Sequence, residues 1–296
     1  MRVITTIQEM VEARAEWPAS HKIGFVPTMG YLHEGHLTLA RQARRENDGV
    51  IASIYVNPTQ FGPHEDLNTY PRDLPRDLRL LEEEGVDVVF VPTSEEMYPP
   101  GFVTYVDPTG PLAEEAEGAS RPGHFRGVAT IVLKLFEIIR PHRAYFGQKD
   151  GQQATVIARM VQDFNLPVQL RVLPTVREAD GLAMSSRNAY LLEEDRVAAR
   201  VLYKALQAGC AVFETHPGER ASLATRAMLD TVQAEPRAHL DYVEIRDPRS
   251  FQLQETLAPP ALLLIAARVG PARLIDNFLL HEDGTWDTGI IVQSHD

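Results

Sequence analysis

The chain has 296 residues, 44% of them hydrophobic, and a formal net charge of −12. This length supports a substantial core and two domains, whereas the acidic balance argues against a general nucleic-acid-binding surface. No stretch approaches the roughly 20 apolar residues of a membrane helix, and no secretory signal is recognisable, so we expect a soluble, cytoplasmic protein. The single cysteine, Cys210, excludes an intrachain disulfide.

Short β-branched runs alternate with helical patterns through the first two-thirds of the chain. The predicted strands are 23–26, 50–56, 86–91, 143–146 and 168–172. The predicted helices are 35–45, 72–84, 128–139 and 152–164. This alternation predicts an α/β domain with a Rossmann-like, doubly wound parallel sheet that is covered on both faces. In such sheets ligands bind beyond the carboxyl ends of the strands.

The pattern changes after about residue 180. Helical patterns at 193–213 and 221–234 precede predicted strands at 240–246, 261–269 and 272–278. Helices followed by strands favour a smaller C-terminal α+β domain, so we expect domains at 1–180 and 181–296 with a hinge near 176–190.

The acidic segment 107–118 contains proline and glycine and lies between predicted elements. Such composition predicts a solvated, mobile loop.

Residues 27–36 read Pro-Thr-Met-Gly-Tyr-Leu-His-Glu-Gly-His and join a predicted strand to a predicted helix. Free backbone N–H groups and the helix dipole favour an anion at such a junction. His33 and His36 add two donors, which share one face if the first turn already includes His33. A turn with solvated histidines is the alternative. A zinc-protease site is disfavoured, because its motif places the second histidine four positions after the first, not three.

Two further strand ends carry polar motifs. In Asn57-Pro58-Thr59-Gln60-Phe61 the two amides suit a ligand with hydroxyl and carboxylate groups, although an ordinary turn would look similar. In Phe146-Gly147-Gln148-Lys149-Asp150-Gly151-Gln152-Gln153, Gly147 permits close backbone approach and Lys149 supplies a charge for phosphates. Asp150 could cap the following helix, or hold ribose hydroxyls or Mg²⁺.

Two other motifs carry arginines. Arg121-Pro122-Gly123-His124-Phe125-Arg126 opens a helix and favours an anion, although surface arginines would look the same. Ala183-Met184-Ser185-Ser186-Arg187-Asn188 lies at the predicted hinge, where hydroxyls and a guanidinium could close on a triphosphate. Alone, a Ser-Ser-Arg sequence is a weak signal, because most such sequences are exposed loop.

In this order the motifs resemble those of the pantoate–β-alanine ligase (pantothenate synthetase) family, within the His-x-Gly-His nucleotidyltransferase superfamily. The resemblance covers about the first 190 residues. Segment 183–188 is similar to the Lys-Met-Ser-Lys-Ser loop of class I aminoacyl-tRNA synthetases. The sequence departs from the family pattern at Gln148 and Gly151, where many relatives carry Glu and an aromatic residue.

The resemblance implies ATP- and Mg²⁺-dependent condensation of pantoate with β-alanine through a pantoyl adenylate, in a homodimer whose C-terminal domain is a lid. The resemblance assigns catalytic roles to His33, His36 and Lys149. The residues assigned to ATP are Met29, Gly30, Tyr31, Leu32, His33, Glu34, Gly35, His36, Gly147, Gln148, Lys149, Asp150, Val176, Met184, Ser185, Ser186 and Arg187. Those assigned to pantoate or β-alanine are Asn57, Gln60, Arg121 and Gln153, with Asp150 assigned to Mg²⁺.

Rival functions follow from the same motifs. A nucleotidylyltransferase would stop after nucleotidyl transfer, so its reaction would not form AMP in dependence on β-alanine. A non-catalytic nucleotide sensor would bind ATP without turnover, which the two histidines and Lys149 argue against. A tRNA ligase is disfavoured by the acidic balance and by the lack of a recognisable tRNA-binding extension.

Overall fold

The computed structural model describes residues 1–292, which fold into two compact units. Unit 1 comprises residues 1–109, 121–147 and 156–173, and unit 2 comprises 110–120, 148–155 and the described chain from 174. The division predicted at residue 180 stays a prediction, and the last four residues of the predicted second domain lie outside the described residues. No helix in residues 1–292 is long and apolar enough to cross a bilayer.

The regular elements are numbered in chain order. The helices are α1 (Ile7–Ala15), α2 (Glu34–Glu46), α3 (Leu74–Glu83), α4 (Ser94–Met97), α5 (Pro111–Glu114), α6 (Glu117–Ser120), α7 (His124–Ile139), α8 (Gly151–Asp163), α9 (Glu193–Ala199), α10 (Val201–Thr215) and α11 (Ser222–Gln233). The strands are β1 (Arg2–Ile4), β2 (Ile23–Thr28), β3 (Gly49–Ile54), β4 (Val88–Phe90), β5 (Arg143–Gly147), β6 (Gln169–Leu173), β7 (Val176–Arg177), β8 (Ala238–Arg246), β9 (Ala261–Val269), β10 (Ala272–Leu280), β11 (Trp286–Asp287) and β12 (Ile290–Ile291).

Unit 1 is built on a six-stranded parallel sheet in the order β1-β4-β3-β2-β5-β6. Successive side chains of its strands enter two different cores. Phe25 and Phe90 pack with apolar residues of α1, α7 and α8, whereas Val26 and Val89 pack with residues of α2 and α3. Burial on both faces explains the unbroken apolar runs of these strands and confirms the predicted doubly wound sheet.

The strand order places a topological switch point between β2 and β5. From β2 the chain continues to β3 and then β4 on one side, whereas β5 and β6 lie on the other side. Open α/β sheets bind ligands outside the carboxyl ends of their strands at such a point. Strand β2 ends at Thr28 and strand β5 ends at Gly147. The histidine motif, residues 27–36, and the Lys149 motif, residues 146–153, therefore both begin at these strand ends.

Unit 2 contains a four-stranded antiparallel sheet in the order β11-β10-β9-β8. Leu206 of α10, Met228 of α11 and Ile265 of β9 belong to one buried apolar cluster. The strands β7 and β12 form a separate parallel ribbon. Helices that pack on an antiparallel sheet confirm the predicted α+β character of this part of the chain.

The prediction that segment 107–118 forms a solvated loop is wrong. Part of this segment forms α5 and the start of α6, and Glu117 is only 5% exposed. Arg273 donates to both carboxylate oxygens of Glu117 at 2.8 Å. A buried carboxylate is tolerated when a cation pairs with it, and the partner here lies 156 residues away in the chain.

Two smaller differences separate the structure from the predicted elements. The pattern at 193–213 forms two helices, α9 and α10, because the turn tightens at Arg200, where ψ is −16°. The Arg200 guanidinium lies 3.2 Å from Asp180. In addition, β1 and α1 were not predicted from the sequence, although Thr6 and Glu9 form a capping box at the start of α1.

Candidate active site

A buried carboxylate holds the turn that follows β2. The turn needs left-handed backbone conformations at Gly30 (φ 84°) and Tyr31 (φ 49°). Asp77 of α3 accepts hydrogen bonds from the backbone N–H groups of Tyr31 at 2.6 Å and Leu32 at 2.8 Å. Asp77 is 1% exposed, and this burial raises the pKa of its carboxyl despite the two backbone donors. The carboxylate therefore fixes the chain path immediately before His33.

The two histidines form the N-terminal cap of α2. Nδ1 of His33 accepts from the N–H of Gly35 at 3.2 Å, and Nδ1 of His36 accepts from the N–H of His33 at 3.3 Å. Although His33 lies outside the helix as its N-cap, the two ring centroids are 4.1 Å apart. Because each Nδ1 is an acceptor, each neutral ring carries its proton on Nε2 as a donor. Two such donors at a helix N-terminus favour an anion.

Other residues of this motif use their side chains to maintain the fold. Leu32 is 1% exposed and belongs to the core under α2. Glu34 accepts a hydrogen bond from Arg41 at 2.8 Å, and the Tyr31 ring lies 5.5 Å from the guanidinium of Arg76. At Leu32, any contact with a ligand would therefore come from the backbone.

Gln60 lies beside the histidine motif, residues 27–36. Its side-chain Nε2 is 3.3 Å from the sulfur of Met29, and its Oε1 accepts from Asn57 at 3.1 Å. Gln60 is 9% exposed. Unit 1 thus brings together Met29, predicted to contact the nucleotide, and Gln60, predicted to contact pantoate.

Asn57 orients this glutamine. It is 1% exposed, and its Oδ1 accepts from the hydroxyls of Thr59 at 3.0 Å and Tyr98 at 2.9 Å. Its Nδ2 donates to Gln60 and to the carbonyl of Gly127. Burial raises the pKa of Tyr98 to about 12, so its hydroxyl stays a donor at neutral pH. Because protein groups engage both ends of the amide, Asn57 is suited to positioning Gln60.

The backbone of Gln60 is held by a second set of groups. Arg121 and His124 both lie within hydrogen-bond distance of the Gln60 carbonyl oxygen, at 3.2 and 2.9 Å. Arg121 also pairs with Glu65 at 2.6 Å. Burial acts to raise the pKa of the Glu65 carboxyl, but the hydrogen bond and charge of Arg121 lower it overall. This ion pair favours a positioning role for Arg121.

The Lys149 motif forms a 3-10 turn, Gln148–Asp150, that leads into α8. Nζ of Lys149 is 3.6 Å from Oδ1 of Asp150, and their side chains are 19% and 45% exposed. Gln153 is half-buried in the first turn of α8. A lysine cation and a partly exposed carboxylate are suited to phosphates and to a divalent cation.

The predicted phosphate clamp folds back on β7 in unit 2. The N–H of Met184 donates to the carbonyl of Val176 at 2.9 Å, and Asn188 donates to Glu178 at 3.1 Å. Ser185 caps the short turn Ser186–Tyr190 through a hydrogen bond from the N–H of Arg187. The segment is therefore tethered at both ends.

Sequence reasoning missed Asp77 and Glu65. Asp77 occupies the apolar stripe of α3, between Leu74, Leu78 and Leu81 at helical spacing. A carboxylate on an apolar helix face needs a buried partner, which is a signal that can be read from sequence. Glu65 stands in a polar loop and offers no such signal.

A doubly wound parallel sheet with histidine donors at a helix start, at its switch point, is typical of nucleotide-binding α/β proteins. Residues 2–279 match the family described as pantoate-beta-alanine ligase. The pantothenate synthetase of Roseiflexus castenholzii is 60% identical over 281 residues, which cover 95% of this chain and 99% of that protein. The chain belongs to the pantoate-beta-alanine ligase family.

Solved structures agree with this membership. The pantothenate synthetase of Thermus thermophilus has a TM-score of 0.89 and 50% identity, covering 94% of this chain and 98% of that one. The pantoate-beta-alanine ligase of Francisella tularensis, complexed with beta-gamma ATP and beta-alanine, has a TM-score of 0.78 and 37% identity. That match covers 94% of this chain and 97% of the other.

Proposed function

We propose that this chain condenses (R)-pantoate with β-alanine to form pantothenate, consuming ATP and releasing AMP and pyrophosphate. It is a ligase that forms a C–N bond. The observation that carries the proposal is the pair of histidine donors at the start of α2, in a member of this family. The histidines belong to the same motif as Met29, whose sulfur lies 3.3 Å from Nε2 of Gln60.

Activation of a carboxylate explains why ATP is needed. An amine does not attack a carboxylate at useful speed, because the charge repels the nucleophile and oxide is a poor leaving group. A pantoate carboxylate oxygen attacks the α-phosphorus of ATP in line, and pyrophosphate leaves with the electron pair of the broken P–O bond. The amine of β-alanine then attacks the acyl carbon of pantoyl adenylate, loses a proton and expels AMP.

The residues of this chain hold the reacting groups together and stabilise developing charge. His33 and His36 donate Nε2–H hydrogen bonds to the phosphates, and Lys149 contributes a positive charge. No covalent enzyme intermediate is needed. Gln60 and Gln153 hold pantoate, whereas Asn57 and Arg121 keep Gln60 in place. Backbone groups of 29–36 and 147–150, with Val176, contact the nucleotide, and Met184 to Arg187 close on its phosphates.

Asp150 would hold Mg²⁺. Its carboxylate is 45% exposed beside Lys149. In proteins Mg²⁺ is often bound by one or two carboxylates together with substrate phosphates, a requirement that this residue fits. The ion would supply charge stabilisation on the phosphates.

The family resemblance supports three further parts of the proposal. Residues 181–296 act as a lid domain, the chain functions as a homodimer, and it works in the cytoplasm.

One assay separates this proposal from its rivals. The purified protein is supplied with ATP, Mg²⁺, pantoate and β-alanine, and AMP and pantothenate are measured together. We expect the two products in equal amounts, each dependent on β-alanine. A nucleotidylated product formed equally well without β-alanine would indicate a nucleotidylyltransferase, and ATP binding without turnover would indicate a sensor.

Gln60→Ala is expected to raise the KM for pantoate about tenfold and to leave the KM for ATP unchanged. The amide donates a hydrogen bond to a charged carboxylate, which is worth about 1.5 kcal/mol, and about 1.4 kcal/mol corresponds to a factor of ten. Steady-state kinetics with each substrate varied provides the measurement, with Gln8→Ala on α1 as the matched control. A weakened ATP dependence with unchanged pantoate dependence would show that the two pockets are assigned in reverse.

Asp77→Asn is expected to lower turnover about 10- to 100-fold, because one of the two N–H groups that it holds loses its acceptor and the histidine turn shifts. The control is Thr6→Ala, which removes the cap of α1 and costs about 1 kcal/mol of stability. Helix α1 packs in the core on the opposite face of the sheet from α2. Turnover is measured well below the melting temperature of both variants. Equal turnover in Asp77→Asn and Thr6→Ala would limit Asp77 to a role in stability.

A further inference from the structure

A buried asparagine of the C-terminal sheet contacts the Lys149 turn within unit 2. Asn277 lies on β10 and is 2% exposed. Its Nδ2 donates to the backbone carbonyls of Gln148 and Lys149, both at 2.8 Å. Its Oδ1 accepts from Nε2 of Gln148 at 2.9 Å. One side chain therefore makes three hydrogen bonds to two consecutive residues.

These hydrogen bonds fix the direction of the lysine side chain. The carbonyl of Gln148 belongs to the peptide plane before the Lys149 Cα, and the carbonyl of Lys149 belongs to the plane after it. When both planes are held, φ and ψ of Lys149 are held as well, and with them the Cα–Cβ direction. Asn277 thereby sets the direction in which the Lys149 side chain leaves the backbone.

The asparagine is itself firmly anchored. Its N–H donates to Oδ1 of Asp276 at 2.8 Å, and Asp276 pairs with Arg177 through bonds of 2.6 and 2.9 Å. Arg177 and Asp276 are 0% and 3% exposed at their side chains. Because a buried pair of this geometry resists displacement, β10 presents the Asn277 amide from a rigid base.

The contact also accounts for Gly151. A Cβ at this position would lie 2.9 Å from Nε2 of Gln148 and 3.0 Å from Oδ1 of Asn277. The two amides thus fill the space that a side chain at 151 would occupy. Gln148, Gly151 and Asn277 form one packed set.

We propose that Asn277 is a positioning residue for the first half-reaction, acting through the backbone of Lys149. The inference rests on the proposed role of Lys149 at the phosphates. Asn277→Asp keeps the size of the side chain and its acceptor but removes the donor pair, and it points a carboxylate at two carbonyl oxygens. Exchange of pyrophosphate into ATP, driven by pantoate and Mg²⁺, is expected to fall about 10- to 100-fold.

A double-mutant cycle tests the connection to Lys149. Exchange is measured in the full-length protein for Asn277→Asp, for Lys149→Ala and for the double variant. If Asn277 acts through the lysine, its substitution lowers exchange in the wild-type background but causes no further loss in the Lys149→Ala background. The matched control is Asn47→Ala, which removes a buried amide bonded to the Ala43 carbonyl and the Tyr145 hydroxyl, both at 2.7 Å. It is expected to lower the melting temperature without changing exchange per folded molecule.

Each outcome has a distinct meaning. An equal fold-loss from Asn277→Asp in both backgrounds would overturn the inference and leave Asn277 a purely structural residue. Wild-type exchange in Asn277→Asp would overturn it as well. Wild-type exchange in Lys149→Ala would instead remove the proposed role of the lysine. If Asn277→Asp does not fold, the same cycle is run with Asn277→Ser, which keeps one donor and is expected to show a smaller, equally non-additive loss.

Discussion

His36→Asn is expected to slow formation of pantoyl adenylate about 10²- to 10³-fold, or about 3 to 4 kcal/mol, because it removes a preorganised donor from developing phosphate charge. The asparagine Oδ1 can replace Nδ1 as the acceptor for the N–H of His33, so α2 keeps its cap. The loss therefore reports on the Nε2 donor. Single-turnover measurement of the adenylate isolates this step.

Two further variants make the His36 result specific. His36→Gln places an amide near the position of Nε2 and is expected to recover part of the rate. His239→Asn changes an exposed histidine of β8 and is expected to have no effect. Adenylate formation near the wild-type rate in His36→Asn would contradict the role assigned to this donor.

Lys149→Ala is expected to lower pantoate-dependent exchange of pyrophosphate into ATP about 10²- to 10³-fold. The lysine charge acts on the phosphates in the first half-reaction, and a low-dielectric site makes such a charge worth more than in water. Exchange should need ATP, Mg²⁺ and pantoate but not β-alanine, because adenylate formation is reversible before the amine enters.

The exchange experiment has its own controls. Lys204→Ala removes an exposed lysine of α10 and is expected to leave exchange unchanged. Circular dichroism checks that Lys149→Ala is folded. Undiminished exchange in Lys149→Ala would mean that the histidines and the metal suffice. A requirement for β-alanine in the wild-type protein would mean a concerted or differently ordered reaction.

The sequence was sufficient to predict the sheet of unit 1, because burial on both faces leaves a continuous apolar run in each central strand. The sequence was insufficient to predict that segment 107–118 is partly helical and that Glu117 is buried. The partner that allows Glu117 to be buried is Arg273, and no local pattern connects residues so far apart. The break between α9 and α10 at Arg200 was not predicted for a related reason. It coincides with a contact to Asp180, which lies outside both helices.

The positions of the predicted site motifs could be read from sequence because glycines, histidines and amides follow directly on strand ends. The long-range contacts that hold those motifs in place could not be read from sequence. Asp77 and Asn277 act on backbone N–H and carbonyl groups 45 and 128 residues away. Backbone groups are the same at every residue, so such contacts leave no trace in the pattern of the residues that they hold.

The fate of the pantoate carboxylate oxygens tests the adenylate route most directly. Pantoate labelled with ¹⁸O at both carboxylate oxygens is converted in the presence of ATP, Mg²⁺ and β-alanine, and the products are analysed by mass spectrometry. Attack at the α-phosphorus predicts one ¹⁸O in the phosphate of AMP and one in pantothenate. Unlabelled AMP, with the ¹⁸O found in pyrophosphate or inorganic phosphate, would contradict it.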